Sequence, residues 1–337
     1  NFLGEEDKID VEYDREDGAS IGYPSIGYDI AIFEKSMVVG IPIMTLTSTS
    51  GGAAYVFSLA PDRTWTHEAE LVAEDNGEYH SCDAHCVAIF GDTIVVGDCV
   101  FSRDDAGSWS FQQKLFHRNQ QVAMYRRYVS SVDMFNDTIV IGAYGDISSG
   151  GTEAAVFFYM QNGEGTWKLV QKVTAGDGKT EDLFGYSIGI YANVTVVTSP
   201  GSKQRLGCAY VFSRDQGVWV LTDKLGAEEA IIEGQFGNKV AIFDNTIIVT
   251  AIGDTRYRDG IRNAGAVYVY SWDAGWRQKQ RLVAGDAQED ARFGFSIQAT
   301  QHFIVVGAPG DIRPNGIYKG GAYIFSPDPG GAWVQTS

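Results

Sequence analysis

The stretch Phe293-Gly294-Phe295-Ser296-Ile297, then Phe303-Ile304-Val305-Val306-Gly307, then Gly321-Ala322-Tyr323-Ile324-Phe325 and Trp333, decides the fold. Each run is short, rich in β-branched and aromatic residues, and bounded by Gly, Asp or Asn, which is the pattern of strands joined by turns. The unit recurs. A Gly or its stand-in lies thirteen residues before the end of an apolar run at Gly27–Gly40, Ala84–Gly97, Val129–Gly142, Gly185–Thr198, Gly237–Thr250 and Gly294–Gly307. After each pair come an aromatic-rich run and a Trp: Trp65, Trp109, Trp167, Trp219, Trp276 and Trp333. Six residues after the first five of these stand Leu71, Leu115, Val173, Leu225 and Leu282.

Four strands per repeat, at a period of 45 to 57 residues, predict an all-β chain built as a β-propeller of six four-stranded blades. The repeats span about 25–72, 82–116, 127–174, 183–226, 235–283 and 292–337, a single propeller over 25–337. Seven blades, with one incomplete or supplied elsewhere, is the alternative. No window sustains an apolar spacing of three and four, so no substantial helix is expected. The central apolar runs are nearly continuous, as for strands covered on both faces. Residues 1–24 match no blade and carry Glu5, Glu6, Asp7, Asp10, Glu12, Asp14, Glu16 and Asp17, which reads as an acidic arm. The chain starts at Asn1 and reads as a processed chain or a fragment.

Phe184-Gly185-Tyr186-Ser187-Ile188 and Phe293-Gly294-Phe295-Ser296-Ile297, with Gly307-Ala308-Pro309, resemble FG-GAP repeats, the blades of integrin α-chain heads. The short turns are similar to those of FG-GAP arrays in secreted and surface proteins. The resemblance implies a non-catalytic, extracellular interaction or adhesion module. Ile26-Gly27, Asp83-Ala84 and Tyr128-Val129 depart from the first dipeptide, and Gly97-Asp98-Cys99 and Thr250-Ala251-Ile252 from the second tripeptide. Integrin-type blades often hold Ca²⁺ between their first two strands. Here that turn is only Glu34-Lys35, Gly91-Asp92, Asn136-Asp137, Ala192-Asn193, Asp244-Asn245 or Gln301-His302, without the six or more oxygens the ion needs. No metal site and no cofactor are expected there.

A net charge of −17 argues against nucleic acid and anionic membrane as partners, and no apolar run has membrane length. Asn136-Asp137-Thr138 and Asn193-Val194-Thr195 are N-glycosylation sequons at equivalent turns of neighbouring blades, although Asn and Thr are also common turn residues. Four cysteines are present. Cys208 takes the place of a small third-strand residue. Cys82, in the entry loop, and Cys99, opening the third strand, share one end of their blade and are favoured as a disulfide, whereas Cys86 is a whole strand removed from Cys99. The competing set His80, Cys82, His85 and Cys86 matches no zinc spacing.

The long loops, between second and third strands and between blades, share one end. They carry Glu74, Asp75, Glu78, Asp177, Glu181, Asp182, Glu228, Glu229, Glu233, Asp286, Glu289 and Asp290. Asp146, Asp254, Asp259 and Asp311 add to them and are compatible with weak Ca²⁺ binding, while any single acid serves solubility as well. Against this rim, repeat two shrinks its loop to Gly97-Asp98, and the loop after it brings His117, Arg118, Arg126 and Arg127. These arginines mark either a partner contact or a local salt-bridge site. The expected partners are other extracellular proteins or copies of the chain. The alternatives are a glycan-binding propeller using Tyr144, Tyr257 and Tyr318, or a hydrolase or lyase at the channel mouth. None of the five His recurs with Ser or a carboxylate at a triad-like spacing.

Overall fold

The computed structural model describes residues 28–42, 53–72, 74–75, 78–79, 84–116, 128–146, 153–163, 165–176, 182–228, 233–255, 260–310 and 320–337. The expected acidic arm lies outside them. The fold is all-β, with six four-stranded sheets that are the blades of a β-propeller. Among the described residues, helix is confined to α1 (Ser202–Arg205).

Two compact units are present, residues 1–121 and 122–337. The first holds blade 1, with β1 (Asp29–Phe33), β2 (Ser36–Ile41), β3 (Ala53–Leu59) and β4 (Trp65–Leu71). A small ribbon follows, β5 (Glu74–Asp75) with β6 (Glu78–Tyr79). Blade 2 comprises β7 (Val87–Phe90), β8 (Thr93–Val96), β9 (Cys99–Arg103) and β10 (Trp109–Lys114). The second unit opens with blade 3: β11 (Tyr128–Phe135), β12 (Thr138–Asp146), β13 (Glu153–Gln161) and β14 (Trp167–Thr174). Blade 4 is β15 (Ile188–Tyr191), β16 (Val194–Ser199), β17 (Cys208–Asp215) and β18 (Val218–Leu225). Blade 5 is β19 (Phe236–Phe243), β20 (Thr246–Ala251), β21 (Ala266–Trp272) and β22 (Trp276–Leu282). Blade 6 is β23 (Ser296–Ala299), β24 (Ile304–Ala308), β25 (Gly321–Pro327) and β26 (Trp333–Gln335). Strands pair antiparallel in sequence order in every blade.

Two-residue turns join first to second strands in blades 1 to 5, with a left-handed first residue: Glu34 at φ 52°, Gly91 at 58°, Asn136 at 51°, Ala192 at 51° and Asp244 at 43°. Positive φ matches the twist of the flanking strands. Blade 6 differs from the two-residue turn expected at Gln301-His302. Its strands stop at Ala299 and resume at Ile304, because the Thr300 hydroxyl accepts the amides of His302 and Phe303 at 3.2 and 3.3 Å and caps a wider loop.

The core lies between sheets. Val140, Val156 and Phe158 of blade 3 pack on Ile188, Tyr210, Phe212 and Trp219 of blade 4. Val196, Val211 and Leu225 of blade 4 pack on Phe236, Val249, Tyr268 and Tyr270 of blade 5. Ile248, Val267 and Leu282 of blade 5 pack on Phe293, Val306, Tyr323 and Trp333 of blade 6. In the first unit, Val38, Val56 and Leu71 of blade 1 pack on Val87, Ile94 and Phe101 of blade 2.

The periodic Trp and its Leu therefore serve different seams. Six residues along a regular strand would return both to one face. The outer strands carry a bulge in blades 1 to 5, with Glu68, Gln112, Val170, Thr222 and Lys279 as the extra residues. The extra residue reverses the facing. Trp219 accordingly packs back on blade 3 and Leu225 forward on blade 5. Trp219 is 2% exposed and stacks on Phe158, with centroids 4.8 Å apart.

Candidate functional site

Three places gather the side chains of interest: the outer seams, the long-loop end and the short-turn end.

At the outer seams a glutamine four residues after the Trp reaches into the next blade. Gln171 Nε2 donates to the Trp219 carbonyl at 2.8 Å, and the Trp219 amide donates to Gln171 Oε1 at 2.8 Å. Gln280 repeats this with Trp333, at 2.7 and 2.9 Å. In blade 1 the corresponding residue is Ala69, and the Trp109 indole of blade 2 instead donates to Glu68 Oε1 at 3.1 Å. Blade 4 has Asp223 at this position. These glutamines were in plain view as residues at Trp plus four, but a polar residue on an edge strand reads as solvent-facing.

At the long-loop end, blades 4 to 6 present exposed Glu228, Glu233, Asp286, Glu289 and Asp290. Two of these also order their loops. Asp286 accepts the Tyr323 hydroxyl at 2.9 Å, and Asp290 accepts Asn263 Nδ2 at 2.6 Å. Asp254 behaves differently. It is 4% exposed, accepts Arg281 Nη2 at 3.0 Å and Nε at 3.3 Å, and receives the Tyr268 hydroxyl in a short hydrogen bond. The guanidinium thus supplies the cation at this carboxylate. Burial disfavours the charge on Arg281, but the hydrogen bond and charge of Asp254 outweigh it and raise its pKa. Burial, then the Asp254 charge, pushes the Tyr268 hydroxyl well above the ordinary tyrosine range. Strand register builds this cluster by setting Tyr268 opposite Arg281. No sequence spacing announces it.

Of the other acids singled out from sequence, Asp146 ends β12 with its side chain outside the described residues, where Asp259 and Asp311 also lie. Arg118, Arg126 and Arg127, with Tyr257 and Tyr318, fall outside them too, as does the side chain of Tyr144. The short loop of blade 2 is as expected: Val96 and Cys99 flank Gly97-Asp98, and Lys114 Nζ lies 3.6 Å from Asp98 Oδ1. Among the described residues, no group of three or more His, Cys, Asp and Glu gathers as metal ligands.

At the short-turn end, Asn136 and Asn193 are both exposed at equivalent turns. Arg214 Nη1 reaches back to Asp137 Oδ1 at 3.4 Å, and the Tyr191 hydroxyl reaches forward to Asp244 Oδ1 at 2.7 Å. That hydrogen bond raises the pKa of Tyr191. Cys86 and Cys208 are buried thiols outside any disulfide. Cys99 is buried at the start of β9, and Cys82 lies outside the described residues.

Residues 167–212, 219–270 and 276–325 match the model of the FG-GAP repeat. With six four-stranded sheets, the chain is a β-propeller whose later blades carry FG-GAP repeats. No curated protein matches it in sequence. Among solved structures it is similar to the periplasmic gluconolactonase PpgL of Pseudomonas aeruginosa. The two are 14% identical with a TM-score of 0.58, over 91% of this chain and 84% of that one. At that identity the likeness is one of fold.

Proposed function

We propose that the chain is a non-catalytic interaction or adhesion module of the extracellular space, binding a protein partner through the end that bears the long loops. The observation that carries this reading is the row of exposed carboxylates on ordered loops in blades 4 to 6: Glu228, Glu233, Asp286, Glu289 and Asp290. Such a field attracts a basic surface and speeds encounter in a salt-dependent way. The sequence also carries a basic segment with Arg118, Arg126 and Arg127, so one copy is a suitable partner for another, in a head-to-tail contact. The chain is read as carrying glycans at Asn136 and Asn193 and a disulfide between Cys82 and Cys99. Exposure of both asparagines and the thiol state of Cys86 and Cys208 support this. Divalent cations are expected to bind the acidic loops only weakly.

Sedimentation velocity of the wild type and of Arg126→Glu/Arg127→Glu, at low and high salt, tests the contact. Salt-sensitive association that the double reversal weakens supports it. Association unchanged by the reversal moves the site elsewhere on the long-loop end. Turnover of gluconolactone above the uncatalysed rate would overturn the non-catalytic reading.

A further inference from the structure

The seam between blades 4 and 5 lacks the glutamine clasp, and an open, shallow cleft of about 400 Å³ lies there. Its lining includes Leu225, Glu228, Tyr270, Trp276 and Gln278. The floor is fixed by hydrogen bonds across the seam. The Tyr270 hydroxyl donates to the Gly226 carbonyl at 2.8 Å, and Gln278 Oε1 accepts the Glu228 amide at 3.1 Å and the Tyr270 hydroxyl at 3.3 Å. Gln278 is thereby held with its oxygen engaged, while its Nε2 donor has no hydrogen-bond partner among the described residues. The same holds for the Trp276 indole N–H. The Glu228 carboxylate is exposed and makes no ion pair among the described residues.

Beside the cleft, Trp272 is 47% exposed and meets Trp276 edge-on, with centroids 5.5 Å apart and planes at 69°. The two indoles form an aromatic corner. Trp219 in the neighbouring seam is by contrast buried against Phe158. A half-open aromatic surface next to unpaired donors and a carboxylate suits a ligand with an apolar C–H face and a hydroxylated rim.

We propose that this cleft binds a pyranose ring of an oligosaccharide, stacked on the Trp272–Trp276 corner and hydrogen-bonded by Gln278 Nε2 and the Glu228 carboxylate. Arg277 and Lys279 also line the cleft, so the ring is accepted with or without a carboxylate of its own. The site shares Glu228 with the acidic row described above, but its test does not depend on that reading.

Intrinsic tryptophan fluorescence, titrated with cellohexaose and in parallel with hexagalacturonate, tests the proposal. At least one should give a saturable change with Kd of about 1 mM or tighter. Trp272→Ala should weaken that binding about tenfold or more, a loss of ~1.4 kcal/mol, and Glu228→Gln should weaken it severalfold. Thermal melting should be unchanged, since both side chains are exposed. Lys168→Gln, on an outer strand of another blade, is the control. Equal binding of both sugars assigns recognition to the neutral ring. Binding of hexagalacturonate alone, lost in Arg277→Gln/Lys279→Gln, adds the carboxylate to it. No saturable change with either sugar at about 10 mM, or full binding by Trp272→Ala, overturns the site.

Discussion

The seam between blades 3 and 4 and the seam between blades 4 and 5 use the same strands and close differently. In the first, Trp219 is buried on Phe158 and its backbone is gripped from both sides by Gln171. In the second, Trp276 is half-buried, Asp223 stands where the glutamine would be, and the hydrogen bonds across the gap come from Tyr270 and Gln278. One side chain on the outer strand thus separates a sealed seam from an accessible one. A repeat fold specialises in this way, by relaxing one joint while the others hold the stack.

The largest effect should come from breaking the sealed seam. Trp219→Ala removes a buried ring and should cost about 3–5 kcal/mol in denaturant unfolding, whereas Trp272→Ala should change stability by less than ~0.5 kcal/mol. Equal effects would show that the two seams do not differ.

Alkaline titration comes next. Burial raises the pKa of both Tyr268 and Tyr270 above the ordinary tyrosine value of about 10. Their contribution is fully present below that value and is lost as pH rises towards the folded pKa. Each should cost the folded state about 1.4 kcal/mol per pH unit over that window. Absorbance of tyrosinate should show these two titrating only with unfolding.

The clasp is a smaller term. Gln171→Ala and Gln280→Ala each leave a Trp amide and carbonyl without partners and should cost about 1–3 kcal/mol in melts read against the wild type. The smallest expected effect sharpens the comparison from the other side. Asp223→Gln should stabilise by at most ~1 kcal/mol by clasping Trp276, and should diminish sugar binding at the cleft. No gain in stability would mean that the backbone of this seam is set too wide for the clasp.

The six-fold recurrence made the sheets legible, because the Gly, Trp and Leu positions repeat whatever their neighbours are. The sequence also placed the two-residue turns of blades 1 to 5 and the shortened loop at Gly97-Asp98. It did not reveal that Trp219 and Leu225 face opposite seams, since a bulge leaves no mark on residue spacing. The Asp254–Arg281–Tyr268 cluster and the cleft at Gln278 were illegible for a related reason. Each depends on which residues lie opposite one another between strands or blades, and a linear pattern of polar residues does not encode that.

The glutamine clasps have a direction. The amide belongs to the earlier blade and the Trp backbone it grips to the later one, 48 residues on for Gln171 and 53 for Gln280. A chain leaving the ribosome would meet each clasp in turn, with the waiting amide already fixed in a finished sheet. The two clasps then close loops of nearly the same length, so their entropic costs differ little. Each of these clasps can therefore close as soon as its later blade is complete.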